Sequence, residues 1–398
     1  MVRKPAASDS GLTVTISLRG ASRLKAGHVW VYRSDIVSVN GVPPGSLVRV
    51  VDQRGQFLGS ALYSSSSQIA IRLISREPVT DFQALLRHRV ADAIAYRRTI
   101  IHDTNAYRVI FSEADFLPGL IVDLYNDILS MQILTQVMDG ENVRQTLISE
   151  LTERMHPASI VERVDRRVRQ LEELPPRSSG LLQGEKTSTI FTTNGVQFHF
   201  DALEGQKTGA FLDQRENYAA TAQYAHGEAL DVFCYQGGFA LHVAARCSHV
   251  AAVDSSRPAL EVADRNATLN HLDIEWIEAN AFDLLKDYAA SGQRYDLIVL
   301  DPPAFAKTKQ DLGAAMCGYK ELNLRALKML RPGGTLVTCS CSYHVRQADF
   351  LEMLANAALD AHRTLRLAEI RGQARDHPAL LNVAETAYLK CVIGNLSY

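Results

Sequence analysis

The sequence predicts an α/β protein in which a doubly wound parallel sheet follows a β-rich N-terminal segment and a mixed α/β middle segment. After Thr187, apolar strands alternate with helical segments, as in a parallel sheet with helices on both faces. Residues 1–76 instead contain many short strands, which is typical of a small barrel or sandwich. A chain of 398 residues is long enough for two or three domains.

The short strands of the first 76 residues follow from period-two patterns. Residues 12–18 alternate strictly, with apolar side chains at even positions and mostly hydroxyl side chains between them. Residues 46–51 and 57–63 flank a turn at Arg54-Gly55 and predict a hairpin, and residues 68–74 predict one more strand.

The middle segment mixes both periodicities. Apolar residues recur at helical spacing from Asp81 to Ile101. Strands are then predicted at 107–111, 120–124, 128–134 and 159–162, with a helix at 140–154 between the last two. The polar, Pro/Ser-rich residues 172–180 predict a linker.

Composition excludes several classes of protein. Apolar residues make up 46% and charged residues 22% of the chain, as in ordinary globular proteins. No apolar run approaches the ~20 residues of a membrane-spanning helix. The basic start lacks the apolar run of a secretory signal, so we expect a cytoplasmic protein without membrane contact.

The net charge of −2 is unevenly distributed. Residues 1–76 carry ten Lys/Arg and three Asp, a net charge of +7, so the remainder carries −9. A basic N-terminal segment on an acidic body fits a module that binds RNA or DNA. An uneven but merely solvated surface is the alternative.

Six cysteines are present, and they form no CxxC pair and no cluster with zinc-ligand spacing. We therefore expect no metal and no disulfide framework. The cysteines are predicted to be free thiols, one of which is available for chemistry.

The strand–turn–helix pattern of residues 230–240 predicts a nucleotide-type site. Phe233 ends a buried strand, Gly237-Gly238 makes the turn, and Asp254 ends the next strand, where a carboxylate can accept bonds from ribose hydroxyls. The loop is not GxGxxG and has no basic residue for a pyrophosphate. S-adenosylmethionine therefore fits better than a nicotinamide cofactor, with a plain βα turn as the alternative.

Two further strand ends face the same predicted crevice. Asn280 follows the third strand and either bonds an adenine edge or caps a helix. Asp301-Pro302-Pro303 follows the fourth strand and brings a carboxylate and a rigid, donor-free loop to the carboxyl edge of the sheet. Two prolines directly after an apolar strand are hard to explain by packing alone.

At these residues the chain resembles a known family, the PUA-domain-containing methyltransferases of large-subunit ribosomal RNA that methylate cytosine at carbon 5. The resemblance covers nearly the whole chain. It rests on motifs at residues 24–32, 117–123, 162–163, 205–215, 301–303, 340–342 and 376–378.

The resemblance implies a PUA-like barrel, a class I, Rossmann-like methyltransferase domain and methylation of 23S ribosomal RNA. In the 205–215 motif it implies cofactor contacts for Gln206, Lys207, Thr208 and Gln214. The sequence departs from the family at Asn280, where an acid is frequent, and at Cys339, an additional cysteine.

Carbon 5 of cytosine is a poor nucleophile until a thiolate adds to carbon 6, so the reaction needs one placed cysteine. Cys341 lies just past a strand end beside the crevice of Asp301, and the resemblance makes it the nucleophile. Asp301 is expected to bond or protonate the cytosine ring nitrogen. Cys339 is the rival, because residues 339 and 341 of a strand share a face. Cys234 is expected to serve packing.

In the N-terminal segment, Lys25, His28, Trp30 and Arg33 combine an aromatic ring with cations and predict an RNA contact surface. The alternative is that Trp30 belongs to the core.

We expect three domains: a PUA-like RNA-binding domain at 1–76, a central α/β domain at 77–190 and a methyltransferase domain at 191–398. Two other functions stay open, methylation of a base nitrogen and an RNA-binding protein without catalysis. The sequence also leaves open whether the protein forms a homodimer.

Overall fold

The computed structural model describes residues 11–203, 209–306, 308 and 310–397. The chain forms two compact units. The first comprises the described residues of 1–100, 108–187 and 379–383. The second comprises those of 101–107, 188–378 and 384–398.

The first unit contains a six-stranded and a five-stranded sheet. The six-stranded sheet has the order β2-β6-β5-β4-β1-β3 and the five-stranded sheet the order β11-β10-β9-β8-β7. The strands are β1 (Thr13–Ile16), β2 (Trp30–Tyr32), β3 (Ile36–Ser38), β4 (Leu47–Asp52), β5 (Phe57–Tyr63), β6 (Ile69–Ser75), β7 (Ala106–Phe111), β8 (Leu120–Tyr125), β9 (Ile128–Ile133), β10 (Ser159–Glu162) and β11 (Gly180–Gly184). The helices are α1 (Leu18–Lys25), α2 (Phe82–Ile100), α3 (Glu141–Met155) and α4 (Arg166–Leu171).

The short helix α1 corrects the strand predicted for residues 12–18. The strand ends at Ile16, and the Ser17 hydroxyl accepts a hydrogen bond from the Gly20 amide at 3.1 Å, which caps the helix. Ala21 and Leu24 then bury the inner face of α1 in the core of the six-stranded sheet. Alternation alone could not distinguish Leu18 as the last residue of a strand from the first of a helix.

The linker predicted at residues 172–180 is wrong. This stretch connects α4 to β11, which pairs antiparallel with β10 inside the first unit. Glu172 is buried, and its carboxylate accepts hydrogen bonds from Ser64 at 2.6 Å and Arg72 at 3.3 Å. The chain passes into the second unit after Thr187. The division of the chain into three domains, with boundaries at residues 76/77 and 190/191, stays a prediction.

The second unit contains a β-hairpin and a seven-stranded sheet with helices. Its strands are β12 (Ser188–Thr193), β13 (Val196–Asp201), β14 (Glu228–Val232), β15 (His249–Asp254), β16 (Glu275–Glu278), β17 (Tyr295–Leu300), β18 (Leu330–Ser340), β19 (Leu365–Arg371) and β20 (Lys390–Leu396). Its helices are α5 (Arg215–Ala222), α6 (Gly238–Ala244), α7 (Arg257–Leu269), α8 (Ala281–Ser291), α9 (Leu312–Met329) and α10 (Gln347–Asp360).

The seven strands have the order β16-β15-β14-β17-β18-β20-β19. β16, β15, β14, β17 and β18 are parallel, as the βαβ rhythm predicts, whereas β20 runs antiparallel to both β18 and β19. The strand order reverses at β14, which pairs with β15 on one side and β17 on the other. Such a switch point opens a crevice at the carboxyl ends of the strands.

No helix in the described part of the chain is long and apolar enough to cross a membrane.

Candidate active site

A cavity of about 430 Å³ lies within the second unit at the switch point. Six residues predicted from the sequence line it: Gln214, Phe233, Gly238, Asp254, Asp301 and Cys341. They come from five places along the chain. Phe233, Asp254, Asp301 and Cys341 follow or end parallel strands, whose carboxyl ends meet at one edge, whereas Gln214 comes from the turn before α5.

The turn after β14 forms one wall of the cavity through a strained backbone. Phe233 and Tyr235 adopt left-handed conformations with φ of 68° and 50°, which are uncommon for residues other than glycine. Hydrogen bonds from the amides of Phe233 and Cys234 to the Val253 carbonyl, at 2.9 and 3.0 Å, hold the turn. Strain of this kind persists where the surroundings fix it, and here it presents backbone to the cavity.

The two glycines of this turn have different reasons to be glycine. Gly237 has a φ of 86° and begins α6, but it does not line the cavity. Gly238 lines the cavity, and a Cβ there would lie 2.5 Å from the Tyr218 ring. The turn therefore needs glycine once for conformation and once for close packing.

Asp254 ends β15 with both carboxylate oxygens facing the turn. One oxygen accepts from the Tyr235 amide and the other from the Ser256 amide, each at 2.9 Å. Each carboxylate oxygen can accept two hydrogen bonds. The fixed carboxylate thus keeps capacity for two ribose hydroxyls.

Asp301 and Gln214 are joined directly. The Gln214 side-chain amide donates to the Asp301 carboxylate at 2.9 Å, and its carbonyl oxygen accepts from Asn217 at 2.7 Å. Because Gln214 is buried and held at both ends, it orients the Asp301 carboxylate in the cavity.

The structure separates the two cysteines that strand alternation predicted on one face. β18 ends at Ser340, so Cys341 leaves the strand, lines the cavity and places its Sγ 4.0 Å from the Pro302 carbonyl oxygen. Cys339 is fully buried opposite Cys391 of β20, and burial raises the pKa of its thiol well above the usual value. Cys234, expected to serve packing, is buried but also lines the cavity.

Two serines flank Cys341 and share one tyrosine. The Ser340 hydroxyl donates to the Tyr319 phenol at 3.0 Å, and the Ser342 hydroxyl lies 2.9 Å from the same phenol. All three side chains are buried. Tyr319 could not be singled out from the sequence, in which it is one of many residues on the buried face of α9.

The charges around the cavity fit a cation without phosphate groups. Asp213, Asp254 and Asp301 line the cavity. Arg215 is the one cationic residue among its described lining residues, and it bonds the buried Asp376 at 3.3 Å. Burial and then the neighbouring carboxylates Asp301 and Asp213 raise the pKa of the Tyr218 phenol well above its usual value. An acidic cavity that is partly lined by aromatic rings suits a sulfonium and disfavours a pyrophosphate.

Of four other predicted cofactor contacts, the structure describes only Asn280. Gln206, Lys207 and Thr208 lie outside the described residues. Asn280 is exposed, does not line the cavity and caps α8 through a hydrogen bond from the Phe282 amide at 2.9 Å. The capping alternative is therefore what the structure shows for Asn280, and the adenine contact stays a prediction.

The residues predicted to contact RNA lie in the first unit. Lys25 and Arg33 are exposed, whereas His28 and Trp30 are half-buried. The Trp30 indole packs against the core of the six-stranded sheet and donates to Glu113 at 3.1 Å. Trp30 therefore serves the core at least in part, as the alternative proposed, and the RNA contact stays a prediction.

Two protein-family models match the chain. One, described as a PUA-like domain, matches residues 14–76. The other, described as an S-adenosylmethionine-dependent methyltransferase, matches residues 113–393, more than half of the chain. The chain belongs to the S-adenosylmethionine-dependent methyltransferases. The predicted cofactor and fold class are thereby confirmed.

The methyltransferase is similar over most of its length to proteins named ribosomal RNA large subunit methyltransferase I. That of Shewanella denitrificans is 38% identical over 386 residues, 94% of this chain and 96% of the relative. That of Tolumonas auensis is 39% identical over 379 residues, 92% and 94% of the two chains. The methyltransferase is a member of this family, as its motifs predicted.

Solved structures share its fold. The crystal structure of SMU.776 complexed with SAH covers 96% of this chain and 100% of that one, with a TM-score of 0.83 and 19% identity. A structure from Streptococcus mutans has a TM-score of 0.82 at the same identity and coverage.

Proposed function

We propose that this methyltransferase transfers a methyl group from S-adenosylmethionine to carbon 5 of a cytosine in 23S ribosomal RNA, with Cys341 as the covalent nucleophile. The observation that carries the proposal is the position of Cys341 in the cavity beside the Asp301-Pro302 loop. The names of its relatives support ribosomal RNA as the substrate.

The described residues fit the cofactor. Asp254 would bond the ribose hydroxyls, the strained turn at Phe233 and Gly238 would contact the nucleoside, and the carboxylates would favour the positive sulfonium. When bound, S-adenosylmethionine supplies an electrophilic methyl group. Gln206, Lys207 and Thr208 would complete this site.

The Cys341 thiolate would add to carbon 6 of cytosine, forming a carbon–sulfur bond and making carbon 5 enamine-like. Carbon 5 would then take the methyl group, and the former sulfonium would leave as a neutral thioether. A base would then remove the proton from carbon 5. The electron pair of that bond would form the double bond between carbons 5 and 6 again, and the bond from carbon 6 to Cys341 Sγ would break.

Asp301 would act on the opposite end of the same ring. A carboxyl group bonded to the ring nitrogen withdraws electron density and makes carbon 6 more electrophilic. The Gln214 amide donates a hydrogen bond to this carboxylate at 2.9 Å, so Gln214 would fix the orientation in which the Asp301 carboxyl group faces the cytosine.

Methylation of a base nitrogen is the less favoured function. It would need the aromatic residue of the Asp301–Phe305 loop to stack on the base. Phe305 instead packs against Tyr319 and Phe282, with ring centroids 4.8 and 6.0 Å away, and does not line the cavity. The cavity offers a thiol that nitrogen methylation does not use.

The basic N-terminal segment would bring RNA to the enzyme. Lys25 and Arg33 are exposed cations that would attract phosphate groups, although Lys25 also contacts Gln56 and Asp52 and Arg33 donates to the carbonyls of Ser65 and Ser67. A ribosomal RNA substrate would be met in the cytoplasm, and the three predicted domains would then divide RNA binding from methyl transfer.

The test compares Cys341→Ala with Cys339→Ala on 23S ribosomal RNA from cells that lack the protein. Methyl transfer should fall by at least about 10³-fold in Cys341→Ala, because the nucleophile is removed. Cys339→Ala should retain most of the activity, and both variants should bind S-adenosylmethionine by calorimetry like the wild type. Retained turnover in Cys341→Ala would exclude the covalent mechanism.

A further inference from the structure

Lys390, the first residue of β20, is a buried cation that holds the segment containing Cys341. Only 5% of it is exposed, and its ammonium donates hydrogen bonds to the carbonyls of Ser342 and Tyr388, each at 2.7 Å. In the sheet it pairs with Ser340. Lys390 is therefore fixed to the residues directly before and after Cys341.

The ammonium lacks the partner that buried charges usually have. No carboxylate lies within 4 Å of Lys390 Nζ in the described residues, and both of its acceptors are neutral carbonyls. Buried charges are normally paired, because leaving water is costly. Burial lowers the pKa of Lys390 to about 8, and the charge at Cys341 opposes that effect. At pH 7 the side chain is thus mostly a cation.

The other polar and ionisable groups around Cys341 are carboxylates, an arginine that is paired with carboxylates, and neutral phenol or thiol groups. Asp301 and Asp213 line the same cavity and disfavour a further negative charge, while Arg215 bonds carboxylates. Three neutral groups come from the packed elements, namely the Tyr319 phenol of α9 and the thiols of Cys339 in β18 and Cys391 in β20. Tyr388, whose phenol bonds Asp213, precedes β20.

We propose that Lys390 is a positioning residue that orients the Cys341 segment and serves as the buried counter-ion of the Cys341 thiolate. The proton lost from Sγ passes to solvent through the cavity, and the ammonium then compensates the charge of the resulting thiolate. The inference rests on the proposed nucleophilic function of Cys341.

The test measures alkylation of each cysteine by iodoacetamide between pH 5.5 and 9.5, in the full chain without cofactor or RNA, by peptide mass spectrometry. In Lys390→Met the pH of half-maximal Cys341 alkylation should rise by about one unit, which slows alkylation at pH 7 about tenfold. Lys390→Arg keeps the charge and should stay near the wild type. The exposed Cys317 serves as the internal reference.

Tyr319→Phe is the matched control, because it loosens the same segment without changing a charge. A Cys341 profile that is unchanged in Lys390→Met would overturn the proposal, as would an equal shift in Tyr319→Phe. If Lys390→Met does not fold, Lys390→Gln, which keeps a donor for the carbonyls, replaces it under the same criteria. Since no turnover is measured, the result is independent of whether Cys341→Ala abolishes methylation.

Discussion

At the scale of single residues, Asp231 is a carboxylate in an environment that disfavours charge. It is almost fully buried in β14, where one oxygen accepts from the Ala240 amide at 2.9 Å. Its other oxygen has no hydrogen-bond partner among the described residues. Burial raises the pKa of Asp231 to about 8, and the nearby carboxylates of Asp301 and Asp254 add to the shift. Asp231 is therefore protonated at neutral pH.

We predict that Asp231→Asn removes a pH dependence of stability. Above an unfolded-state pKa near 3.8 the unfolded chain releases a proton that the folded protein keeps until about pH 8. The free energy of unfolding of the wild type therefore falls as pH rises through this window, by about 1.4 kcal/mol per pH unit. Asparagine is neutral throughout and still accepts from Ala240.

Urea unfolding between pH 5 and 8.5 provides the measurement. Asp231→Asn should gain stability relative to the wild type as pH rises, whereas Asp264→Asn, an exposed change in α7, should give a constant difference. A constant difference for Asp231→Asn as well would mean that Asp231 is ionised in the folded protein.

The sequence was sufficient to predict six residues that line the cavity, but alternation along the strand did not choose between the two cysteines. Alternation places residues 339 and 341 on one face only while the strand continues, and β18 ends between them at Ser340. The end of that strand depends on Lys390 and Tyr319, which are distant in sequence. The motif resemblance chose Cys341 as the nucleophile; the structure places Cys341 in the cavity lining, and its role stays a prediction.

At the scale of elements, the turn from β14 to α6 is the part of the cofactor site with the least steric freedom. Gly238→Ala would place a Cβ 2.5 Å from the Tyr218 ring, which is itself buried against Phe239 and His242. We predict that the turn shifts and that S-adenosylmethionine binds about tenfold more weakly, because over-packing typically costs about 1–3 kcal/mol and about 1.4 kcal/mol corresponds to a factor of ten in affinity.

Gly313→Ala is the matched control, since a Cβ at Gly313 in α9 meets nothing within 4 Å. Calorimetry should give it the cofactor affinity of the wild type. Equal affinity of Gly238→Ala and the wild type would show that the turn does not determine cofactor binding.

Sequence periodicity predicted the parallel strands well, because short, largely apolar stretches alternate with helical segments; in β17 the last four residues are all apolar. It did not predict β19 and β20 as an antiparallel pair at the sheet edge. Pairing direction is set by the connection between distant strands rather than by the residues of β20 itself. The sequence did not indicate a role for Lys390 either, because its proximity to Cys341 depends on the pairing of β20 with β18.

At the scale of the whole molecule, a buried ionic network joins the two sheets of the first unit. Arg72 of β6 bonds Glu172 at 3.3 Å and lies 3.6 Å from Glu113, and Glu172 also accepts from Ser64. These contacts join segments 100 residues apart in sequence. A polar, Pro/Ser-rich stretch that looked like a linker is thereby part of a packed unit.

We predict that Glu172→Ala destabilises the first unit by about 2–4 kcal/mol, because Arg72 and Ser64 lose a buried partner. Hydrogen exchange should become faster in peptides that cover β6 and residues 172–180. Glu153→Ala, an exposed change in α3, should leave this exchange unchanged. Unchanged exchange in Glu172→Ala would mean that residues 172–180 behave as the linker that the sequence predicted.

The central claim is covalent catalysis by Cys341, and trapping with RNA that contains 5-fluorocytosine tests it most directly. Fluorine at carbon 5 cannot leave as a proton, so the enzyme should remain attached to carbon 6 after methyl transfer. We predict an adduct that survives denaturing electrophoresis, requires S-adenosylmethionine and maps to Cys341. An adduct on Cys339, or normal turnover on cytosine RNA without any adduct on the fluorinated RNA, would contradict the account.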